Sequence, residues 1–328
     1  MLKSVLAALV AVVFVAGCTS GVSGTPSSGD GDVAEAKEPL TSAVAFDDIS
    51  AVDPCSLTDA AAYDDFGEAE LPGTPTMDDC TVVVPTDAGG TSVQVGPLQP
   101  VDLLPDDRRD VADLSRGTTI VQASTSGSVC AMALVFADDV VLMSSAQAET
   151  PDTVSDATLC GLAESAARRA FDIVDEGEVG YWEPAESSLA RAPACELLDA
   201  EQVAGQLGIT TDVMTSYPAL HQCRWGRTGG DTATAKVDFP VGATRSDVGV
   251  ADSAVGEVIS GRETWVSNAE AGEILVCDAI TEQGEFGLDE GLREYAAVRV
   301  VVPVTSGKDP CAITRTLATS AWANLPPL

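Results

Sequence analysis

Nine cysteines and a single histidine, His221, are the side chains of this 328-residue sequence best suited to chemistry. Cysteine can ligate zinc, cycle as a dithiol, accept a lipid or form a disulfide, and spacing separates these uses. Zinc ligation and dithiol catalysis favour C-x-x-C pairs, and the sequence has none. His221 would have to be the base of any Ser-His-Asp hydrolase, but no G-x-S-x-G nucleophile turn accompanies it. Two residues before Cys223, at the head of a strand-like run, it is expected to face solvent or to pack. The charged run Asp106-Asp107-Arg108-Arg109-Asp110 lacks the D-x-D-x-D-G spacing of a calcium loop and reads as solvated. Arg168-Arg169 falls late in a helical stretch, where cations complement the dipole. Trp225, Trp265, Tyr217 and Tyr295 either fill a core or line a cleft, with Trp225 and Trp265 as the candidate cleft residues. No catalytic residue, metal ligand or cofactor is assigned.

The first cysteine stands apart from the others. Met1-Leu2-Lys3 is a short positive start, and Ser4 to Ala16 is an apolar run too short for a spanning helix of about 20 residues. It ends in Val15-Ala16-Gly17-Cys18, which resembles a bacterial lipobox. By that resemblance residues 1–17 are a signal peptide and Cys18 carries a lipid at the extracytoplasmic face of the plasma membrane. Removing Cys18 leaves eight cysteines, an even number suited to an oxidising compartment.

Those eight divide into two matching sets. Cys55, Cys80, Cys130 and Cys160 are separated by 25, 50 and 30 residues; Cys195, Cys223, Cys277 and Cys311 by 28, 54 and 34. Both sets open with C-x-L-x-D-A, as CSLTDA and CELLDA, and Gly67 and Gly208 follow 12 and 13 residues after the opening cysteine. Ser115-Arg116-Gly117 matches Ser260-Gly261-Arg262. The chain therefore reads as a tandem repeat of a domain-sized unit. Residues 18–46, rich in Ser, Gly, Thr and acidic side chains, read as a flexible tether. Residues 47–176 form the first domain, 177–191 a linker and 192–328 the second.

Within each unit the pattern predicts a helix, about five mostly antiparallel strands and a closing helix. This is an α+β arrangement with helices against one sheet face. Asp199 with Gln202 makes a capping box, Leu197, Ala200, Val203, Ala204 and Leu207 share a face, and Gly208 supplies a left-handed stop. Asp59 and Gly67 are expected to do the same in the first unit. Strands are expected over 81–84, 92–95, 118–123, 128–136 and 140–143, then over 222–227, 234–239, 263–266, 274–280 and 295–302. Closing helices are expected over 156–174 and 310–323. Four cysteines allow three pairings in each unit. The chosen pairs, Cys55–Cys80, Cys130–Cys160, Cys195–Cys223 and Cys277–Cys311, each staple a terminal helix to the sheet. Closing loops of this length contributes about 3 to 4 kcal/mol apiece.

Asp53-Pro54-Cys55-Ser56-Leu57, Cys223-Arg224-Trp225 and the Gly261-Arg262 ahead of the strand with Cys277 resemble an actinobacterial cell-envelope lipoprotein family of unknown function. Its domains start D-P-C-x-L-L and carry C-x-W on the first strand. Here the motif is divided, D-P-C in the first unit and C-E-L-L with C-R-W in the second. The resemblance implies an envelope lipoprotein and no activity.

Charge narrows the partners. With 17 Lys and Arg against 51 Asp and Glu, the formal net charge is −34, which repels nucleic acid and anionic headgroups. The sequence is thus expected to encode a non-enzymatic, lipid-anchored binding or assembly module of the envelope, meeting the membrane through Cys18 and an envelope protein or small ligand elsewhere. The alternatives are a carrier of a lipid or small apolar ligand, and a carboxylate-based hydrolase.

Overall fold

The computed structural model describes residues 37–227 and 232–328. Cys18, the signal peptide and most of the tether lie outside the described residues. Residues 38–328 form one unit with two sheets, each with its own core.

The first core starts earlier than the composition of the tether suggests. Leu40 and Phe46 are fully buried, and Phe46 meets Phe136 edge-on at 5.5 Å. Between them runs α1 (Ser42–Phe46), with the Thr41 hydroxyl accepting from the Val44 N–H. A polar tract ends as an anchored segment because these two apolar side chains have a core to enter.

Strands β1 (Glu70–Pro75), β2 (Cys80–Thr86), β3 (Gly89–Pro100), β4 (Arg109–Asp113), β5 (Thr119–Ser126), β6 (Val129–Val135) and β7 (Val140–Ala148) follow. They pair antiparallel in the order β1-β2-β3-β7-β6-β5-β4. The 21-residue helix α2 (Asp156–Glu176) then lies across one face. Ser155 caps it, Gly177 ends it in the left-handed conformation, and Leu159, Leu162, Ala163, Ala166, Ala167 and Ala170 are buried at helical spacing.

The second half repeats this plan. After α3 (Ala200–Leu207) come β8 (Met214–Ser216), β9 (Gln222–Trp225), β10 (Thr234–Asp238), β11 (Val241–Gly242), β12 (Val255–Ile259), β13 (Arg262–Ala271), β14 (Ile274–Glu285) and β15 (Arg293–Pro303). Helix α4 (Pro310–Asn324) closes the unit, with the Asp309 carboxylate accepting from the N–H groups of Cys311 and Ala312. The sheet order is β12-β13-β14-β15-β10-β9-β8. Read from the other end it matches the first sheet strand for strand. β11 supplies the remainder: it pairs with β15 as the far end of β3 pairs with β7. Pro240 separates β10 from β11, whereas Gly96-Pro97 leaves β3 whole with a register shift after Val95.

The chain is therefore α+β with two antiparallel sheets, of seven and eight strands rather than about five. The additional strands are the edges, 70–75, 109–113, 214–216 and 255–259, together with 241–242. They are short, or rich in Pro, Gly and charge, and are held by a longer neighbour rather than by their own propensity. The disulfides join Cys55 to Cys80, Cys130 to Cys160, Cys195 to Cys223 and Cys277 to Cys311, with Cα atoms 4.9 to 5.1 Å apart. These are the four pairs expected.

Four local expectations change. The first unit has no opening α-helix. Asp59 caps a single tight turn, 60–62, because Tyr63 turns fully inward and bonds the Thr58 hydroxyl at 2.8 Å. Gly67 is not a left-handed stop; a Cβ there would lie 2.0 Å from the Pro85 carbonyl oxygen, so glycine permits close backbone approach. In the second unit Asp199 caps α3 and Gly208 stops it at φ +71°, but Gln202 reaches Ser320 instead of closing the capping box. Nor is 177–191 a passive linker. Tyr181 bonds the Phe46 carbonyl, Trp182 packs edge-on to Phe286 at 5.2 Å, and Leu189 is fully buried in the second core. Its charged and Gly/Pro composition hides a few apolar anchors that find partners on both sides.

Candidate functional site

Alternation along β13 decides where Trp265 points. Thr264 and Val266 face α4, where the Trp322 indole donates to the Thr264 hydroxyl at 3.1 Å. Trp265 therefore projects to the opposite face of the sheet. Loop 243–254 crosses that face and seats Val248 and Val250 on Ile280, Tyr295 and Ala297. The loop is shaped by its own bonds: the Thr244 N–H donates to the Asp247 carboxylate at 2.7 Å, and the Val250 N–H to the Arg245 carbonyl at 3.0 Å. Its crossing leaves a cleft of about 300 Å³ lined by Thr244, Arg245, Ser246, Asp252 and Trp265. The Arg245 guanidinium carbon stands 4.6 Å from the Trp265 ring centroid, a cation–π contact. An indole, a guanidinium and two hydroxyls suit holding a ligand group; this set carries no paired acid and base.

The other candidate cleft residue, Trp225, is elsewhere. It is 1% exposed in the second core. Tyr295 is equally buried, and burial pushes its phenol above the usual tyrosine range. Of the four aromatics singled out in the second unit, Trp265 is the one that lines this cleft.

At the same place in the first unit the face is closed. Loop 101–108 carries Leu104, which packs on Val121, Ala123, Ala133 and Val141. The pairings Val121↔Ala133 and Trp265↔Ile280 make Val121 the counterpart of Trp265. Sequence comparison places that counterpart at Ile120, one residue away, because the paired left-handed turn residues are Arg116-Gly117 and Ser260-Gly261, offset by one from the sequence match.

A second cluster lies where the halves meet. Turn 76–79 joins β1 to β2 and turn 217–221 joins β8 to β9, and the two turns touch. His221 is 2% exposed; its Nδ1 is 2.7 Å from the Asp78 carboxylate and its Nε2 is 3.3 Å from the Ala190 carbonyl oxygen. Both ring nitrogens face acceptors, so the fully paired ring carries two protons. Burial works against that charge, but Asp78, the Ala190 carbonyl and Glu294 outweigh it and hold the His221 pKa above its ordinary value. Glu294, 1% exposed, accepts from the Ser188 hydroxyl at 2.6 Å and the Leu189 N–H at 2.7 Å; burial raises its pKa. Ser188 is thus turned to Glu294, not to His221. The histidine is a buried packing and pairing group. Met77, from the same turn as Asp78, enters the second core.

Most of the remaining charged groups face solvent or pair with a neighbour. Residues 105–110 are exposed, as expected of a solvated run. Arg168 pairs with Glu164 one turn earlier, whereas Arg169 ties α2 to Asp59 at 2.6 Å and lowers its pKa. Asp78, Asp79 and Asp238 line a cleft of about 200 Å³; Asp78 is tied to His221 and Asp238 to Lys236, while burial holds the Asp79 carboxyl above the usual carboxylate range and leaves its Oδ1 without a hydrogen-bond partner. Between helix and sheet, where an apolar cargo would lie, Leu159, Leu162, Val82, Val95 and Leu134 are 0% exposed and fill the space. Among the described residues no three His, Cys, Asp or Glu side chains converge as a metal site would require. No described helix is long and apolar enough to cross a membrane. Comparison with protein-family models, with characterised proteins and with solved structures gives no match for the chain.

Proposed function

We propose that the chain is a lipid-anchored binding or assembly module of the cell envelope, attached at the extracytoplasmic face through Cys18. In this reading the second repeat recognises a partner at the Trp265–Arg245 cleft and the first repeat serves as its rigid companion. The observation that carries the reading is the difference at one equivalent place. The loop that covers the outer sheet face seals Val121 in the first copy and leaves Trp265 in an open cleft in the second. A matched fold with one altered surface is what divergence toward binding in one copy produces. The four disulfides support an oxidising compartment, and the V-A-G-C ending supports the anchor.

Two measurements test this. Metabolic labelling with a palmitate analogue should mark the wild-type chain and not Cys18→Ser; equal labelling of both removes the anchor. A photo-reactive residue at Ser246 should cross-link in intact cells to one stoichiometric species, and the same residue at Leu104 should not. Equal capture at both positions would remove the assignment of recognition to this cleft.

A further inference from the structure

The two sheets end in four edge strands, and three of them are blunted. β1 carries Pro72 and Pro75, which have no N–H to offer, and its register shifts between Glu70 and Thr74. β8 is three residues long. β4 exposes Arg109, Asp110 and Asp113 and has a register shift after Asp110. Short length, proline, charge and bulges are the usual means of keeping an edge from pairing with another chain.

β12, though only five residues long, has neither proline nor bulge, and its single charge is engaged elsewhere. Its five residues run in unbroken register from Val255↔Val266 to Ile259↔Arg262. It lacks proline, and Val255 and Val258 are 62% and 75% exposed. Its one charge, Glu257, is turned back onto Arg315 of α4 at 2.7 Å. Gly256, directly opposite Trp265, adds no side chain; a Cβ there would sit 3.9 Å from the indole. The indole is therefore open to whatever lies along the edge. The plain reading is that Trp265 shelters a glycine on a short edge. That reading leaves unexplained why protection is missing from one edge in four, and from the one beside the cleft.

We infer that β12 is a strand-addition site, at which an extended, basic segment of a partner protein continues the second sheet and sets a side chain against Trp265. Backbone hydrogen bonding supplies the docking, and alternate side chains supply selectivity. The charge of the segment follows from the surface it meets: the chain carries −34 overall, and Glu263 is exposed directly across from Val258 on the outer face. The same charge opposes pairing with a second copy. The inference deepens the binding-module reading by naming the partner's chemistry.

The test is selection of random ten-residue peptides, displayed on phage, against the full-length chain, followed by synthesis of the winners. The expected winners alternate Lys or Arg with β-branched residues and slow amide exchange at residues 255–259. They lose at least tenfold in affinity to Val258→Lys and keep it with Val258→Thr, which checks that the edge still folds. No enrichment, acidic winners, or binding that ignores Val258→Lys overturns the inference. So does concentration-dependent dimerisation abolished by Val258→Lys, which would make the occupant a second copy. Trp265→Ala separates the two proposals: peptides that protect 255–259 with undiminished affinity in this variant keep strand addition and remove the cleft reading.

Discussion

In the first repeat, loop 101–108 lays Leu104 over Val121 and Val141; in the second, loop 243–254 lays Val248 and Val250 over Ile280 and Tyr295 but leaves Trp265 beneath Arg245 at an open cleft. The sheets beneath have the same strand order, and each repeat is stapled by disulfides at the same places. The inner faces have kept one solution while the outer faces have parted. Side chains between helix and sheet are constrained by volume on every side, so change there is expensive. A loop across an outer face answers to fewer neighbours, and there the copies were free to differ.

The sharpest way to break this comparison is to remove one tryptophan at a time. Trp225→Ala should cost about 3 to 5 kcal/mol in urea unfolding, because it empties a core position. Trp225→Phe should cost far less, since the buried indole N–H has no hydrogen-bond acceptor to lose. Trp265→Ala should stay within about 1 kcal/mol of wild type while abolishing cleft binding. Equal losses for the two alanine variants would mean that the outer face is as constrained as the inner one.

The junction comes next. Asp78→Ala leaves the His221 cation buried without its carboxylate and should cost about 3 kcal/mol under acidic conditions. The raised His221 pKa sets the sign: its stabilisation is complete below the unfolded value of 6.5 and is lost as pH rises through the higher folded value. Wild-type stability should therefore show a decline above 6.5 that Asp78→Ala lacks. A parallel pH profile for the two proteins would show that the pair is not charged.

The matching glycines give a smaller contrast. Gly67→Ala must displace the Pro85 backbone and should cost about 1 to 3 kcal/mol. Gly208→Ala meets a left-handed φ and the Lys308 ammonium, which can shift from the Gln206 and Leu207 carbonyls it caps, and should cost about 1 kcal/mol. Smallest is Arg169→Ala, at most about 1 kcal/mol, since Asp59 is well exposed. The lowered Asp59 pKa gives it the opposite sign from His221: stabilisation is present above 3.8 and lost as pH falls through the depressed folded value.

What the residues disclosed in advance was what rests on local chemistry. The β-branched runs around Cys80, Cys130 and Cys277 gave central strands, Asp199 and Gly208 bounded α3, the matching cysteine gaps gave the repeat, and stapling each end of a repeat to its sheet gave the pairs. What stayed hidden depends on distant partners. His221 meets Asp78 across 143 residues, and no local pattern announces it. The cleft at Trp265 exists because Val248 and Val250 rest on strands that follow them by some 30 residues or more. The one-residue offset between Ile120 and Val121 came from turn geometry that the letters Ser, Gly and Arg disguise.

Turns 76–79 and 217–221 occupy the same place in the two repeats, and they are the turns that touch. Contact between like surfaces is how two identical subunits form a symmetric dimer, and there each surface must serve as its own complement. Joined in one chain, the two surfaces are released from that obligation. One turn supplies a carboxylate and a methionine, the other an imidazole to receive the acid. Two identical chains would have to place both groups on each surface; a covalent pair can specialise. Cutting the chain between the repeats would therefore yield two halves that no longer match copies of themselves, only each other.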